Sequence, residues 1–404
     1  MSEGIFAGLK VADFTWAAAG PIATKQLADN GATVVKVESL HHPDSVRLGG
    51  PFIDDKPGIN RSGFFADFNS SKLSLAVNMG HPRAAEAIVP LVKWADVVAE
   101  SFRPGVMQRW GFGYDDIRKH NPSIIMLSSS LNGEDGPWSS HPGFGAQGQA
   151  LAGIHGVTGW PDRPPAAPKG AYTDSVSPRL AASALLAAMI HREKTGIGQH
   201  VRLSQVEATV TLLTPQLLEF QIAGRKAERQ GNDKKNALLH GVFRCLGDER
   251  WIAIEVENET QWRGLLDVLA RTHTLAPALT KHEPWRGHER RVLEQAIEEA
   301  TARWDAFVLM AELLAAGVPA GVALKACDLL DNPMLEDRRH FSPLQHPEMG
   351  TLKYNGPAYR FSQTPSKLTR AAPCLGQDSS MVLTELLAFN SATIEDLRRS
   401  GVLE

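Results

Sequence analysis

The amino-terminal stretch of the chain, residues 8–38, reads GLKVADFTWAAAGPIATKQLADNGATVVKVE. It begins with a short apolar run, Leu9 to Phe14, and ends with a second run rich in β-branched residues, Ala32 to Glu38. Between these runs, Pro21 can occupy the first turn of a helix that extends to about Asn30. A strand, a helix and a second strand in this order predict the start of a parallel α/β sheet.

The same alternation recurs along the first half of the chain. Further strands are predicted at Ser74–Val77, Asp96–Glu100, Ile124–Ser129 and His200–Leu203, with helices over Pro82–Trp94, Pro104–Trp110, 177–195 and Gln205–Ala223, the last interrupted at Pro215. The body of the third of these helices is apolar on all sides, and we expect it to be buried on most of them. The first half therefore favours an open parallel α/β sheet.

The composition changes after residue 223, where a polar and basic segment, Gly224 to Lys235, predicts an exposed linker. A smaller α+β unit is expected beyond it, built from the strands and helices Gly241–Cys245, Trp251–Val256, Asn258–Arg271, His288–Ala302 and Ala306–Ala316. The last hundred residues are irregular, with short strands near Gly350–Tyr354 and Ala358–Phe361 and closing helices near Ser380–Phe389 and Ile394–Ser400. We expect them to pack on the first domain, which gives predicted segments 1–223, 224–330 and 331–404.

The overall composition excludes several classes of protein. The 404 residues carry a net charge of −3 with 22% charged residues, so no field of the whole chain attracts nucleic acid or membranes. The longest apolar run, Leu180 to Ile190, is too short to span a bilayer. The amino terminus lacks the pattern of an export signal, and we expect a cytoplasmic protein.

The sequence contains only weak matches to motifs that bind metals or dinucleotide cofactors. Cys245, Cys327 and Cys374 are widely spaced, and the adjacent pair His41 and His42 has no third ligand at metal spacing, so no metal site is predicted. Residues 143–148, GFGAQG, match a dinucleotide-binding motif, but a dozen loop residues separate them from the preceding strand. We interpret them as a flexible glycine loop and predict neither a nicotinamide nor a flavin cofactor.

Charged residues suggest where a ligand binds. Four basic residues, Arg47, Lys72, Arg103 and Arg109, follow or precede predicted strands at one edge of the sheet, where they could clamp a phosphorylated cofactor. Asp174 lies just before the predicted helix start, where partial positive charge favours an ionised carboxylate. That carboxylate could be a nucleophile or simply a helix cap.

The order of motifs along the chain resembles the class III CoA-transferases, the family of formyl-CoA transferase and carnitine CoA-transferase. The resemblance spans five segments: residues 8–38, FNSSKLSLAVNM (68–79), ESFRPGVMQRWGF (100–112), TDSVSPRLAASALLAAMIHREKTGIGQHV (173–201) and APCLGQDSSMVLTELL (372–387). It implies a Rossmann-like large domain made of both chain ends, a small inserted domain, and two subunits interlocked as linked rings.

The resemblance also implies roles for individual residues. The family's catalytic aspartate matches Asp174, and its CoA contacts match Ala18, Ala19, Arg47, Lys72, Phe102, Arg103 and Arg109. Two positions depart from formyl-CoA transferase: Ser39 replaces a basic residue, and Ser101 replaces an asparagine. The glycine-rich loop that covers the aspartate there has no evident counterpart near residues 231–241.

The implied reaction transfers CoA between two acids through an aspartyl anhydride and an aspartyl-CoA thioester. Backbone N–H groups of Gly143, Gly145 and Gly148 are candidate oxyanion donors, and Arg179 is a candidate anchor for an acidic substrate. We expect succinyl-CoA as the donor, with an aromatic or branched succinate among the candidate acceptors, and a homodimer, with a heteromer of related subunits as the alternative.

Two other functions remain open. An α-methylacyl-CoA racemase would need a histidine where this chain has Phe144, whose side chain cannot exchange a proton. A non-catalytic subunit of a heteromeric transferase would not need Asp174, which this chain retains.

Overall fold

The computed structural model describes residues 4–234, 237–272, 274–279 and 288–404. Its strands are β1 (Lys10–Phe14), β2 (Thr33–Glu38), β3 (Leu73–Ala76), β4 (Val97–Glu100), β5 (Ile125–Ser130), β6 (His200–Ser204), β7 (Leu239–Arg244), β8 (Trp251–Val256), β9 (Ala320–Val322), β10 (Phe341–His346) and β11 (Gly350–Asn355). Lys235, the last residue of the predicted linker, lies outside the described ranges.

The α-helices vary from single turns to one of 24 residues. They are α1 (Ala19–Ala28), α2 (Gly63–Phe68), α3 (Ala85–Trp94), α4 (Val106–Arg109), α5 (Tyr114–His120), α6 (Gly145–Leu151), α7 (Ile154–Val157), α8 (Tyr172–Thr195), α9 (Gln205–Val210), α10 (Thr214–Ala223), α11 (Glu259–Leu269), α12 (His288–Thr301), α13 (Ala306–Ala315), α14 (Ala326–Leu330), α15 (Pro333–Asp337), α16 (Ser379–Met381) and α17 (Ser391–Arg399). A π-helical turn, Val382–Leu386, continues α16.

The described chain divides into two compact units. The larger comprises residues up to 154 together with 167–226 and 334–404, and the smaller comprises residues 155–166 and the described part of 227–333. Residues 155–166 thus cluster with the smaller unit, although the sequence-based segment 1–223 includes them.

The larger unit contains a six-stranded parallel sheet in the order β3-β2-β1-β4-β5-β6. The prediction of a parallel α/β sheet is confirmed, and the strand order is that of doubly wound nucleotide-binding folds. The central strands β1, β4 and β5 are buried along nearly their whole length because helices cover both faces of the sheet.

The carboxyl-terminal segment completes this unit. Leu403 bridges Val77 just beyond β3, and the N–H of Asn78 donates to the carbonyl of Val402 at 2.9 Å. Side chains of the π-helical turn and of α17 belong to the same apolar core as β1 and α3. Residues 334–404 therefore pack in one unit with the parallel sheet.

Two predicted elements near the carboxyl terminus differ from the structure. The strand near Ala358–Phe361 is absent, and β11 pairs instead with β10, which the sequence analysis missed. Polar residues interrupt β10, and its alternating half-buried pattern spans only six residues. The predicted helix Ser380–Phe389 is reduced to α16 and the π-helical turn.

The smaller unit has a three-stranded antiparallel sheet in the order β7-β8-β9. Helices α11, α12 and α13 contribute apolar side chains to its core, among them Leu265, Leu293 and Leu309, which are fully buried. The hairpin β7–β8 agrees with the predicted hairpin, whereas β9 has only three residues and carries no sequence signal of its own.

Candidate functional site

Asp174 lies in the first turn of α8, which begins five residues before the predicted Ser177–Pro178 start. The residue before the helix is Ala171, whose side chain makes no capping hydrogen bond. Pro178 sits inside the helix, where its missing N–H leaves the carbonyl of Asp174 without its usual i+4 donor. Asp174 is therefore a first-turn residue of the helix and not its cap.

The α8 helix is also less buried than its composition predicts. Ala181, Leu185 and Ala188 are buried against the sheet, but Leu186 and Ile190 are 42% and 51% exposed. The prediction of burial on most sides is wrong for the single chain, because only one face of the helix packs on the sheet.

A cleft of about 330 Å³ surrounds the Asp174 carboxyl. Its walls come from the segments that follow β1, β4 and β5, which is the edge where parallel α/β sheets bind ligands. Four residues predicted to contact CoA line it together with Asp174, namely Ala18, Ala19, Phe102 and Arg103. The structure therefore brings the predicted nucleophile and part of the predicted cofactor site together.

The Asp174 carboxyl has an unusual environment. Burial raises its pKa from 3.8 to about 6. Within the described ranges, no hydrogen bond or ion pair to another residue reaches the carboxyl group. A carboxylate that is partly desolvated and unpaired is typical of a reacting group, because nothing in the protein competes for its charge.

The glycine-rich segment 143–148 forms part of the cleft. Its sequence predicts a flexible loop, but Gly145 begins helix α6 and Gly148 lies within that helix. The N–H of Gly148 donates to the carbonyl of Phe144 at 3.0 Å, so Gly148 is not available as an oxyanion donor. Gly143 and Gly145 both line the cleft, and a side chain on Gly145 would collide with Asp174 Oδ2.

Arg47 and Lys72 do not lie where a CoA contact is expected. The side chain of Arg47 is completely buried, with Nε and Nη2 each donating to Glu38 at 2.8 Å and the guanidinium 3.4 Å from the Phe65 ring centre. Lys72 Nζ is equally buried and donates to Asp13 Oδ2 at 2.9 Å. Neither cation faces the cleft, so the structure does not support direct phosphate contacts for them.

These two cations belong to one buried network of charges below the sheet edge. Burial alone would raise the pKa of the Asp13 carboxyl, but Lys72 and Lys36 together lower it. In the same way, Lys36 and Arg47 hold the pKa of Glu38 below its usual value despite burial. The network fixes the ends of β1 and β2, and the cleft-lining segment 16–19 directly follows β1.

Arg109 and Arg179 are also outside the cleft. Arg109 is exposed on α4 and does not line the cavity. Arg179 lines a different cavity of about 680 Å³, and its guanidinium donates to the carbonyl of Ser175. Five residues separate it from Asp174, which turns its side chain about 140° away around the helix axis, based on about 100° per residue.

The segment around Phe102 is held by three hydrogen bonds that the sequence did not reveal. Ser101 Oγ accepts from the backbone N–H of Trp16 at 2.8 Å and donates to its carbonyl at 3.1 Å. Glu100 accepts from the backbone N–H of Phe102 at 2.8 Å, and burial raises the pKa of Glu100 to about 7. The serine that replaces asparagine at position 101 therefore ties two walls of the cleft together.

The other departure from formyl-CoA transferase, Ser39, donates from Oγ to Glu404 Oε1 at 3.0 Å. It contributes no positive charge to the site.

Several cleft residues were not predicted from the sequence. Polar and aromatic side chains that were not predicted line it at Trp16, Ser129, Ser130, His141 and Gln205. The run Ser128–Ser130 at the carboxyl end of β5 was the available signal, since such positions face ligands in parallel sheets. His141 carried a weaker signal, because it lies only two residues before Gly143.

Comparison with known proteins identifies the family. The model for CoA-transferase family III matches residues 6–379. The chain belongs to CoA-transferase family III. It is 29% identical over 386 residues to the succinyl-CoA–D-citramalate CoA-transferase of Chloroflexus aurantiacus, covering 95% of this chain and 94% of that one. It is 31% identical to the succinyl-CoA:mesaconate CoA-transferase of Haloarcula marismortui, covering 95% and 96%.

A solved structure supports the same assignment. A CAIB/BAIF family protein from Brucella suis superposes with a TM-score of 0.86 at 28% identity, covering 96% of this chain and all of that one. This CoA-transferase family III member therefore shares the fold of that protein over nearly its full length.

The described ranges of this family III chain contain no group of three histidine, cysteine or acidic side chains arranged to hold a metal ion. Nor does any described helix combine the length and apolar character that a membrane span needs.

Proposed function

We propose that this class III CoA-transferase moves CoA from an acyl-CoA donor to a carboxylic acid, with Asp174 as the nucleophile. The single observation that carries the proposal is the placement of Asp174. Its carboxyl is largely buried and unpaired within the described residues, and it shares the cleft with Ala18, Ala19, Phe102 and Arg103.

The first half of the reaction begins at the carboxylate. An oxygen of Asp174 attacks the thioester carbonyl, the C–S bond breaks, and CoA leaves as a thiolate, which yields a mixed anhydride of Asp174 and the donor acid. The thiolate then attacks the Asp174 carbonyl, and the donor acid leaves as a carboxylate. The enzyme now holds an aspartyl-CoA thioester.

The second half reverses these steps with the acceptor acid. Its carboxylate attacks the aspartyl thioester, the thiolate leaves, and the thiolate then attacks the acceptor carbonyl of the new anhydride. This releases acyl-CoA and restores Asp174. No proton is consumed in the cycle.

The cleft supplies what this chemistry needs. A thiolate leaves less readily than a carboxylate, so the first step is uphill unless the thiolate is held near the anhydride. Positioning of this kind contributes about 7–11 kcal/mol in favourable intramolecular reactions. Burial of Asp174 limits hydrolysis of the anhydride and of the aspartyl thioester. We propose the N–H of Gly145, at the start of α6, as the donor of a hydrogen bond to the oxyanion that forms during each attack.

We propose succinyl-CoA as the donor and a dicarboxylic acid as the acceptor. The relatives reported above are named for succinyl-CoA paired with citramalate or mesaconate, and a mouse relative is a succinyl-CoA:glutarate CoA-transferase. Arg103 is the arginine that lines this cleft, whereas the predicted anchor Arg179 lines another cavity. We therefore propose Arg103, which the resemblance implies as a CoA contact, as the partner of the distal carboxylate of a diacid.

Exchange assays test the proposal. Purified enzyme is incubated with a panel of acyl-CoA donors and free acids, and new acyl-CoA is measured by mass spectrometry. Asp174→Asn is expected to abolish exchange with all pairs while the fold is retained. Asp115→Asn is the matched control, because that side chain is 88% exposed on α5. Near-normal turnover by Asp174→Asn would refute the proposed mechanism.

A further inference from the structure

Helix α6 is joined to the first turn of α8 by two hydrogen bonds. The side-chain oxygen of Gln149, a residue that is 1% exposed, accepts from the backbone N–H of Tyr172 at 3.0 Å. The hydroxyl of Thr173 donates to the carbonyl of Gly145 at 3.2 Å. Tyr172 and Thr173 directly precede Asp174, so both hydrogen bonds act on the turn that carries it.

The hydrogen bond from the Tyr172 N–H to Gln149 satisfies a donor at the start of α8. The first N–H groups of a helix have no partner within the helix, and the preceding residue Ala171 offers no side-chain cap. Gln149 therefore takes the place of a cap residue, although it comes from another helix. Without it, the first N–H of α8 would lie beside a buried side chain without an acceptor.

The backbone of α6 also lies directly against side chains of the first turn of α8. A Cβ on Gly148 would lie 2.9 Å from Thr173 Cγ2, and a Cβ on Gly145 would lie 2.9 Å from Thr173 Oγ1. The same Gly145 Cβ would collide with Asp174 Oδ2. Glycine at both positions lets α6 rest directly on the turn, which brings Gln149 within reach of Tyr172.

We infer that Gln149 is a positioning residue that holds Asp174 in its reactive orientation through the first turn of α8. This inference rests on the proposed function, in which Asp174 is the nucleophile. No side chain in the described ranges hydrogen-bonds to the Asp174 carboxyl. Its direction therefore depends on the helix turn alone, and the turn depends on α6.

Two nearly isosteric substitutions test the inference. Gln149→Met keeps the volume but removes the acceptor, whereas Gln149→Glu keeps an acceptor for the Tyr172 N–H. We expect kcat of Gln149→Met to fall by roughly 10²-fold, since a displacement of about 1 Å costs that much. Its KM for acyl-CoA should be unchanged, because the cleft walls that bind CoA remain. Gln149→Glu should recover most of kcat.

The pH profile separates positioning from general loss of stability. If the turn loosens in Gln149→Met, Asp174 becomes hydrated and the acid limb of kcat/KM moves to lower pH. In Gln149→Glu the added negative charge moves the limb to higher pH. A purely structural role would lower the melting temperature of Gln149→Met and leave its acid limb where the wild-type limb lies. Gln295→Met, on an exposed face of α12, is the control for the substitution itself.

Two results would overturn the inference. One is a wild-type kcat in folded Gln149→Met, and the other is an equal loss of kcat in Gln149→Met and Gln149→Glu. If Gln149→Met does not fold, Gly145→Ala decides, because its methyl group must displace the Asp174 turn; a wild-type kcat there would also contradict us. The proposed function fails separately, if Asp174→Asn remains active.

Discussion

In the proposed mechanism, burial alone prepares the Asp174 carboxylate for reaction. Its raised pKa comes from desolvation, with no neighbouring charge contributing a comparable effect. A helix first turn would lower the pKa of an exposed aspartate, so in this cleft the loss of water outweighs the helix dipole. The result is a carboxylate that is more basic, and therefore more nucleophilic, than one in water.

The pH dependence of activity follows from this residue. In the proposed mechanism only the ionised form of Asp174 attacks the thioester, so kcat/KM should rise with pH along an acid limb near pH 6. A pH–rate profile of CoA exchange measures this directly. A limb near pH 4, the usual range for an aspartate, would show that burial does not act as described.

Stability should depend on the same group. The folded-state pKa of about 6 exceeds the unfolded value of 3.8, so the folded state favours the protonated carboxyl. The contribution of Asp174 to stability is therefore present below about pH 3.8 and is lost as pH rises through about 6. Urea denaturation should show Asp174→Asn more stable than wild type at neutral pH by on the order of 2–3 kcal/mol, with no difference in acid.

At the residue scale, the sequence correctly predicted which cleft residues are placed there by the course of the backbone. Ala18, Ala19 and Phe102 lie at the cleft because they follow the strand ends closely, and Asp174 lies there on the first turn of α8. For long side chains, the strand register does not determine where the charge lies. Arg47 turns inward because Glu38, nine residues earlier, offers a bidentate partner.

At the element scale, the buried charge network joins β1, β2 and the 3₁₀ turn Ser45–Leu48. Arg47 also donates to the carbonyl of Pro373 at 3.2 Å, which ties the carboxyl-terminal segment to the sheet. The network therefore substitutes for apolar packing at this edge. Removal of one member of an ion pair should lower the free energy of unfolding more than removal of both members, because the remaining charge is then buried without a partner.

Arg47→Met tests this account against the predicted role in CoA binding. We expect the free energy of unfolding to fall by about 3–5 kcal/mol, because Glu38 would be left buried without a partner. The double variant Arg47→Met with Glu38→Gln should regain part of that loss. Urea denaturation measures both. If Arg47→Met instead raised KM for acyl-CoA without loss of stability, Arg47 would be a phosphate contact after all.

The ends of helices were harder to predict from the sequence than the positions of strands. The strands of the parallel sheet are apolar runs bounded by polar residues, and all six were located to within a few residues. The start of α8 was misplaced because Ser-Pro usually marks a helix start, whereas here Gln149, distant in sequence, accepts the first N–H. A cap supplied by another helix leaves no local signal.

At the scale of the whole molecule, the larger unit leaves apolar side chains exposed. They lie on α8 and α10 and include Leu186, Ile190, Phe220 and Ile222, the last being 83% exposed. Single chains rarely leave so many large apolar residues in water. We propose that these faces pack against a second copy of the chain; the interlocked form of the dimer stays a prediction from the resemblance.

Light scattering of the purified protein tests the dimer. We expect a native mass of two chains of 43.9 kDa each, independent of concentration over the assay range. Ile222→Glu would place a charge on the exposed face of α10 and should shift the population toward single chains or aggregates. A stable, active species with the mass of one chain would contradict this assembly.

Trapping of the acyl-enzyme is the most direct test of the central claim, because anhydride and thioester intermediates both react with hydroxylamine. The reagent is added during turnover with succinyl-CoA, and the protein is digested and analysed by mass spectrometry. We predict a hydroxamate at Asp174, dependent on acyl-CoA and absent from Asp174→Asn. An active preparation that repeatedly shows no modification at position 174 would contradict the mechanism.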